Sequence, residues 1–239
     1  MGLAKDFNKV LQDEIRIQAA WLPITNTFQV GDFGVISDGV FTRMGNITPD
    51  FNVAFEAKAG AGTGLNFTSK NVRVFRFQGE AAVNAFASDA VDAKLRIEFG
   101  KERSFFLRAT LTSSEMDGIF KAAQELANKP RWNPGKFKVV SALYTGTNAT
   151  ILSSRDSNAA VEISAKADAL KKLDMGAAEA GLAFSSKTGM GLEILGQSGT
   201  VGLKLFKVEK DGPRFEAVGA KNLPYSLSTD WDSELPDDL

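Results

Sequence analysis

Residues 92–111, DAKLRIEFGKERSFFLRATL, alternate between apolar and polar side chains with a period of two. Ala93, Leu95, Ile97 and Phe99 fall on one side, and Asp92, Lys94, Arg96 and Glu98 on the other. Successive side chains of a strand point to opposite faces, so this pattern commits the segment to a half-buried β-sheet. After Gly100–Arg103, Phe105, Leu107, Ala109 and Leu111 resume one face opposite Phe106, Arg108 and Thr110. The break reads as the turn of a hairpin. Whether its greasy face belongs to a protein core or eventually to lipid is left open by the pattern alone.

The same device recurs. In 159–167, Ala159, Val161, Ile163, Ala165 and Ala167 lie opposite Glu162, Ser164 and Lys166, and in 178–186 the apolar set is Ala178, Ala180, Leu182 and Phe184. VRVFRF at 72–77, with Val74 on one face, is a further strand. Others are expected near 25–30, 33–37, 39–44, 51–58, 64–68, 136–145, 148–154, 190–195 and 200–208, separated by Gly, Asn, Asp and Pro. Residues 79–89 are Ala-rich and irregular, and 168–176 reads as a short helical turn.

Two segments carry helical spacing instead. Leu3, Phe7, Val10, Leu11 and Ile15 make 2–16 an amphipathic helix with a mixed-charge polar face. Met116, Ile119, Phe120, Ala123 and Ala127 make a stripe over 114–128, with Ser114 and Asp117 as a loose capping box and Pro130 as its stop. No internal repeat interrupts this order. The expected fold is α+β, a single domain built on a twisted, mostly antiparallel sheet with an N-terminal amphipathic helix and a mid-chain helix.

Composition narrows the chemistry. The 239 residues carry 28 Lys and Arg against 29 Asp and Glu, a net charge of −1, which argues against a nucleic-acid partner. Histidine and cysteine are both absent, removing disulfides, thiol nucleophiles, Cys/His zinc sites and imidazole-based triads. A carboxylate-only enzyme or a Mg²⁺ site stays chemically open, but no metal-spaced carboxylate cluster stands out. Lys187-Thr188-Gly189 lacks the Ser-x-x-Lys that would give it catalytic meaning, and KAGAGTGLNF lacks the spacing of a phosphate loop. We read the chain as not an enzyme, with no cofactor and no metal. The N-terminal segment is unlike a signal peptide, Asp6 stands where a myristoylation pattern wants Ser or Thr, and no run of about 18 apolar residues exists. A cytoplasmic location is expected.

Beyond Lys221 there is no basic residue, while Asp230, Asp232, Glu234, Asp237 and Asp238 are interspersed with Leu223, Tyr225, Leu227, Trp231 and Leu235. A disordered tail rarely carries so many apolar anchors. Residues 222–239 are read as an extended segment lying on a body formed by 1–221, a flexible tail being the alternative.

The helix SSEMDGIFKAAQELANK, then GKFKVVSALYTGTNATI, then AAVEISA and GLAFSS, then GLEILGQSGTVGLKLFKVEK follow one another in an order that resembles the pore-forming domain of the gasdermin family, particularly its compact bacterial members. Val139-Val140-Ser141-Ala142-Leu143 stands in the place of the family's "yVVtev" strand, and Gly199–Phe206 in that of its "LaFrv"-like segment. The resemblance implies a self-inhibited monomer whose C-terminal peptide, here the anchors Leu223, Tyr225, Leu227, Trp231 and Leu235, restrains the body. Proteolysis would free it to oligomerise in a membrane as a β-barrel pore, in cell death or anti-phage defence. The partners so implied are an activating protease, membrane lipid and further copies of the chain.

By element order the inserting hairpins would be 72–99 and 159–186. Val74, Leu95, Ile97, Phe99, Val161, Ile163, Ala165, Ala180, Leu182 and Phe184 would then meet lipid. Lys94, Arg96, Glu98, Glu162 and Lys166 would face the pore. Spanning would require the connectors 79–89 and 168–177 to become strand. Many bacterial members carry an acylated cysteine near the N-terminus; this chain has none. The reading kept beside this one is a soluble binding or structural module that uses the same antiparallel sheet and forms no pore.

Overall fold

Alternation does build strands here, but they are distributed over two sheets. The structure is a computed structural model and describes residues 2–86, 93–174, 182–209 and 212–215. The first half carries α1 (Leu3–Ile15), β1 (Gln18–Ala19), β2 (Asp32–Ser37), β3 (Val40–Asn46), α2 (Ile47–Phe51), β4 (Glu56–Ala59), β5 (Thr63–Thr68), β6 (Val72–Gln78), β7 (Ala81–Val83) and β8 (Ala93–Phe99). Then come β9 (Phe105–Asp117), α3 (Ile119–Ala127), β10 (Lys138–Ser154), β11 (Ala159–Ala165), α4 (Ala167–Asp174), β12 (Ala183–Thr188), β13 (Met190–Glu209) and β14 (Gly212–Phe215). The fold is α+β, and among the described residues every strand pair is antiparallel.

The larger sheet has nine strands and the smaller has five, in the order β12–β11–β8–β6–β7. Within the larger sheet β5 pairs with β9, β9 with β10, and β10 with β13. The segments expected at 136–145 and 148–154 are one strand of 17 residues, and those at 190–195 and 200–208 are one of 20. Bulges absorb the polar breaks between them, for instance between Gly146 and Ala149.

Four local expectations are corrected. Residues 92–111 are not a hairpin: β8 pairs with β6 and β11, whereas β9 pairs with β4, β5 and β10. The helix expected from 114 starts at Ile119, because Ser114–Asp117 continue β9 and pair with β10 and β4. Gly118, with φ of 67°, makes the left-handed bend that lets helix follow strand directly. Nor is 51–58 a strand throughout. Asn46 Oδ1 accepts a hydrogen bond from Thr48 N at 3.1 Å and opens α2, leaving only Glu56–Ala59 as β4. The 25–30 segment is turn and irregular backbone.

α1 lies where its stripe implies, burying Phe7 and Leu11 against Phe105, Leu107 and Ile151 of the larger sheet. A second cluster packs α3 through Ala122, Ala123 and Leu126 onto Phe33, Val139 and Phe206. The smaller sheet has a core of its own.

A cornered amphipathic sheet as the candidate functional site

The smaller sheet is built by the alternation that the sequence displays. Leu95, Ile97, Phe99, Val161 and Ile163 are buried in one cluster, and Val74, Ala165, Leu182 and Phe184 pack against its margin. Register explains the segregation: Val161 lies opposite Ile97, Ile163 opposite Leu95, and Val74 opposite Ile97. α4 closes this face with Ala167, Leu170 and Leu173, and Phe86 joins it. Residues 72–78 and 93–99 do pair, as do 160–164 and 183–188, so each segment pair expected to form a hairpin lies side by side. Ala180, with the whole of 175–181, lies outside the described residues, as do Asp92 and the connector 87–92.

The opposite face is polar. Arg96 Nε approaches Glu98 Oε1 at 2.8 Å along its own strand, and Arg96 Nη1 lies 3.5 Å from Glu162 Oε1 on β11. Lys94 is exposed opposite Ser164. Phe75 and Phe77 sit across from Arg96 and Lys94, so this face is charged with an aromatic margin. Lys70, Arg73, Arg96 and Glu98 line a hollow of about 510 Å³ on it. Lys166 differs from the expectation: it is exposed, but it follows the end of β11, and its carbonyl accepts from Ala169 N and Leu170 N as α4 begins.

How the two sheets join is the central geometric fact. In the larger sheet the neighbours run β5, β9, β10, β13; in the smaller they run β6, β8, β11, β12. The chain joins these one to one. β5 leads into β6, β8 into β9, β10 into β11 and β12 into β13, through 69–71, 100–104, 155–158 and Gly189. Four neighbouring strands therefore turn the same corner together.

Short polar groups stitch that corner. Ser154 Oγ donates to Lys101 O at 2.6 Å and accepts from Ser104 N at 3.0 Å, and Ser69 Oγ accepts from Phe105 N at 2.9 Å. Gly100 N donates to Asn71 O at 2.7 Å, Asn158 N to Phe99 O at 3.0 Å, and Arg155 N to Gly189 O at 2.8 Å. Arg103, Asn158 and Gly189 take positive φ of 57°, 69° and 65° there. Two ion pairs lie at the same line. Lys187 Nζ on β12 reaches Glu193 Oε2 on β13 at 2.6 Å, and Arg103 Nε lies 3.4 Å from Asp6 Oδ2 on α1.

Sequence reasoning missed these corner residues. Their signal is in GKERS, SSRDSN and SKTGM, each a polar break between two alternating runs. A break of that composition is compatible with a hairpin or a corner, and only long-range pairing separates the two.

Among the described residues no group of three or more Asp, Glu, His or Cys is placed to hold a metal ion. Among them, too, no helix is long and apolar enough to cross a membrane, which has no bearing on strands. The anchors Leu223, Tyr225, Leu227, Trp231 and Leu235 lie outside the described residues, as does the boundary at 221/222.

No protein-family model matches the chain, and no curated protein matches it. Among solved structures it is similar to a bacterial gasdermin from Bradyrhizobium tropiciagri, at 13% identity and a TM-score of 0.40, covering 88% of this chain and 90% of that one.

Proposed function

We propose that this chain is an autoinhibited pore-forming protein. The observation that supports it is the one-to-one continuity of four strands across a single corner. Opening the corner would convert β5–β6, β8–β9, β10–β11 and β12–β13 into four long antiparallel strands without changing any neighbour. The apolar face released by this motion would meet lipid, and the face of Lys94, Arg96, Glu98 and Glu162 would meet water.

Energetics restrict where this happens. Freeing Leu95, Ile97, Phe99, Val161 and Ile163 into water forfeits about 1.5–3 kcal/mol each, comparable in sum to the whole stability of a domain. The open form is therefore not populated in water, and a bilayer is the medium that takes up the same side chains without that loss. Length is the second restriction. β8 and β11 have seven residues each, and a tilted spanning strand needs about 9–11. For β11, unwinding the first turn of α4 supplies the difference: Ala167 and Ala169 extend the face of Val161 and Ile163, while Lys166 and Asp168 extend that of Glu162 and Ser164. That returns Lys166 to the pore side.

In this reading the role is non-enzymatic and several copies line one pore. The acidic tail is a latch, and the intact chain waits in the cytoplasm for a protease. The test is a protease site inserted between Lys210 and Leu223, cut after folding in the presence of dye-loaded liposomes. The cut chain should release dye and arrest growth when cut inside cells, and the intact chain should do neither. A cut chain that stays monomeric and leaves liposomes sealed would favour the soluble binding module.

A further inference from the structure

Three of the four connections that turn the corner meet at one hollow on the polar face. Lys70 and Asn71 come from 69–71, Gly100 from 100–104 and Asn158 from 155–158, and with Arg73 and Glu98 they line about 510 Å³. Backbone hydrogen bonds fix its floor: Gly100 N donates to Asn71 O, and Asn158 N to Phe99 O.

The acid of this hollow is engaged and two of its cations are not. Glu98 lies directly opposite Arg73, yet Glu98 Oε1 is held by Arg96 Nε of its own strand at 2.8 Å. Arg96 leans further toward β11, where its Nη1 lies 3.5 Å from Glu162 Oε1. Lys70 and Arg73 are exposed, and neither has a hydrogen bond or ion pair among the described residues. Two residues along from Arg73, on the same face of β6, Phe75 is 37% exposed. No ring or cation is stacked on it among the described residues. Phe77 follows on that face, so the free cations lie beside a partly bare aromatic strip.

These features have the spacing of one ligand. Alternate residues of a strand are about 6.6 Å apart, close to the distance between the phosphate of a nucleotide and its base. Lysine and arginine hold phosphate oxygens by charge-assisted hydrogen bonds, and an exposed ring accepts the face of any base. Between them, Glu98 Oε2 and the Asn158 side-chain amide offer partners to sugar hydroxyls.

We propose that this hollow is a nucleoside-phosphate site, with the phosphate between Lys70 and Arg73, the sugar beside Glu98 and the base on Phe75. A net charge of −1 argues against a nucleic-acid strand but has no bearing on a single nucleotide. Because the ligand touches three corner connections at once, it binds the closed corner and not the straightened strands. A ligand of one state stabilises that state, so the nucleotide is a brake on opening. The site stands on the closed structure alone, and the brake rests on the pore reading.

Calorimetric titration of the intact full-length chain with AMP, GMP, CMP and UMP tests the site. One nucleotide should bind per chain, with little difference among the bases. Adenosine, inorganic phosphate and glycerol 3-phosphate, which carries a lipid headgroup's phosphate without a ring, should each bind about tenfold more weakly or worse. Lys70→Gln, Arg73→Gln and Phe75→Ala should each weaken AMP about tenfold, and Phe75→Trp should preserve it. All three side chains are exposed, so an unchanged melting temperature in each variant separates lost binding from lost fold. Glycerol 3-phosphate or phosphate bound as tightly as AMP would overturn the nucleotide reading. Full AMP affinity in Arg73→Gln with Phe75→Ala, or no binding of any of the nucleotides, would overturn the site. Dye release by the cut chain is a separate readout. AMP at about a hundred times its dissociation constant should slow release up to about a hundredfold, and much less in Arg73→Gln. Release indifferent to saturating AMP would overturn the brake, whereas binding as expected with a cut chain that never leaks would keep the site and sink the pore.

Discussion

Ser154 shows how much of the corner depends on single atoms. Its hydroxyl is buried and serves Lys101 O and Ser104 N together. Ser154→Ala strands the Ser104 amide, which should cost about 1–3 kcal/mol. A urea titration should show that loss, whereas Ser185→Ala, on the exposed edge strand, should stay within about 0.5 kcal/mol. Ser154→Ala should also speed dye release by the cut chain, since it weakens the closed corner alone. The alternation that places Leu95, Ile97, Val161 and Ile163 inward was legible residue by residue, because period two fixes faces without reference to a partner. Ser154 was not legible, because a serine's role is set by which backbone groups arrive beside it from fifty residues away.

At the scale of elements, the sequence spoke clearly about strands and poorly about their partners. Phe99 and Phe105 flank a break that local chemistry permits as a tight hairpin, yet Phe99 pairs with Ala159 and Val72 while Phe105 pairs with Ser153. Contacts of that span carry no local signature. The same holds for Ser114–Asp117, where helical spacing was present but pairing with β10 and β4 prevailed.

Under the proposed function, the polar face of β8 and β11 is where substitutions should silence a pore without unfolding the chain. Arg96→Leu with Glu162→Leu deletes two partly exposed ion pairs, Arg96–Glu98 and Arg96–Glu162, each worth at most about 1 kcal/mol. Thermal melting should barely change, whereas leakage by the cut chain should vanish, because a pore wall must be polar inside. Undiminished leakage would take these strands out of the wall.

β4 offers a pH prediction. Lys58 Nζ, 2.5 Å from Asp117 Oδ2, holds that carboxyl below its usual range, chiefly through their hydrogen bond. A carboxylate depressed in the fold contributes above its ordinary pKa and stops contributing as pH falls through the depressed value. β4 should therefore loosen in acid and be indifferent to mild base. Amide exchange of Glu56–Ala59 against pH should show it, and Lys58→Met should abolish the dependence.

For the whole molecule, the proposed function gives the cornered part of the sheet two resting places. In the structure the apolar face closes on α4; under the proposed function the four strands would straighten in a bilayer. The α+β order and the amphipathic character were readable from the chain, but the corner, which makes them a device, appears only once strand neighbours are known. Because the chain has no cysteine, single cysteines report unambiguously. A polarity-sensitive fluorophore on Ala165→Cys, and separately on the adjacent Ser164→Cys, reads the two faces of β11 directly. After the inserted site is cut in the presence of liposomes, Ala165 should become accessible to a lipid-phase quencher alone and Ser164 to an aqueous quencher alone. Dye release with both positions still quenched only from water would contradict the proposed function.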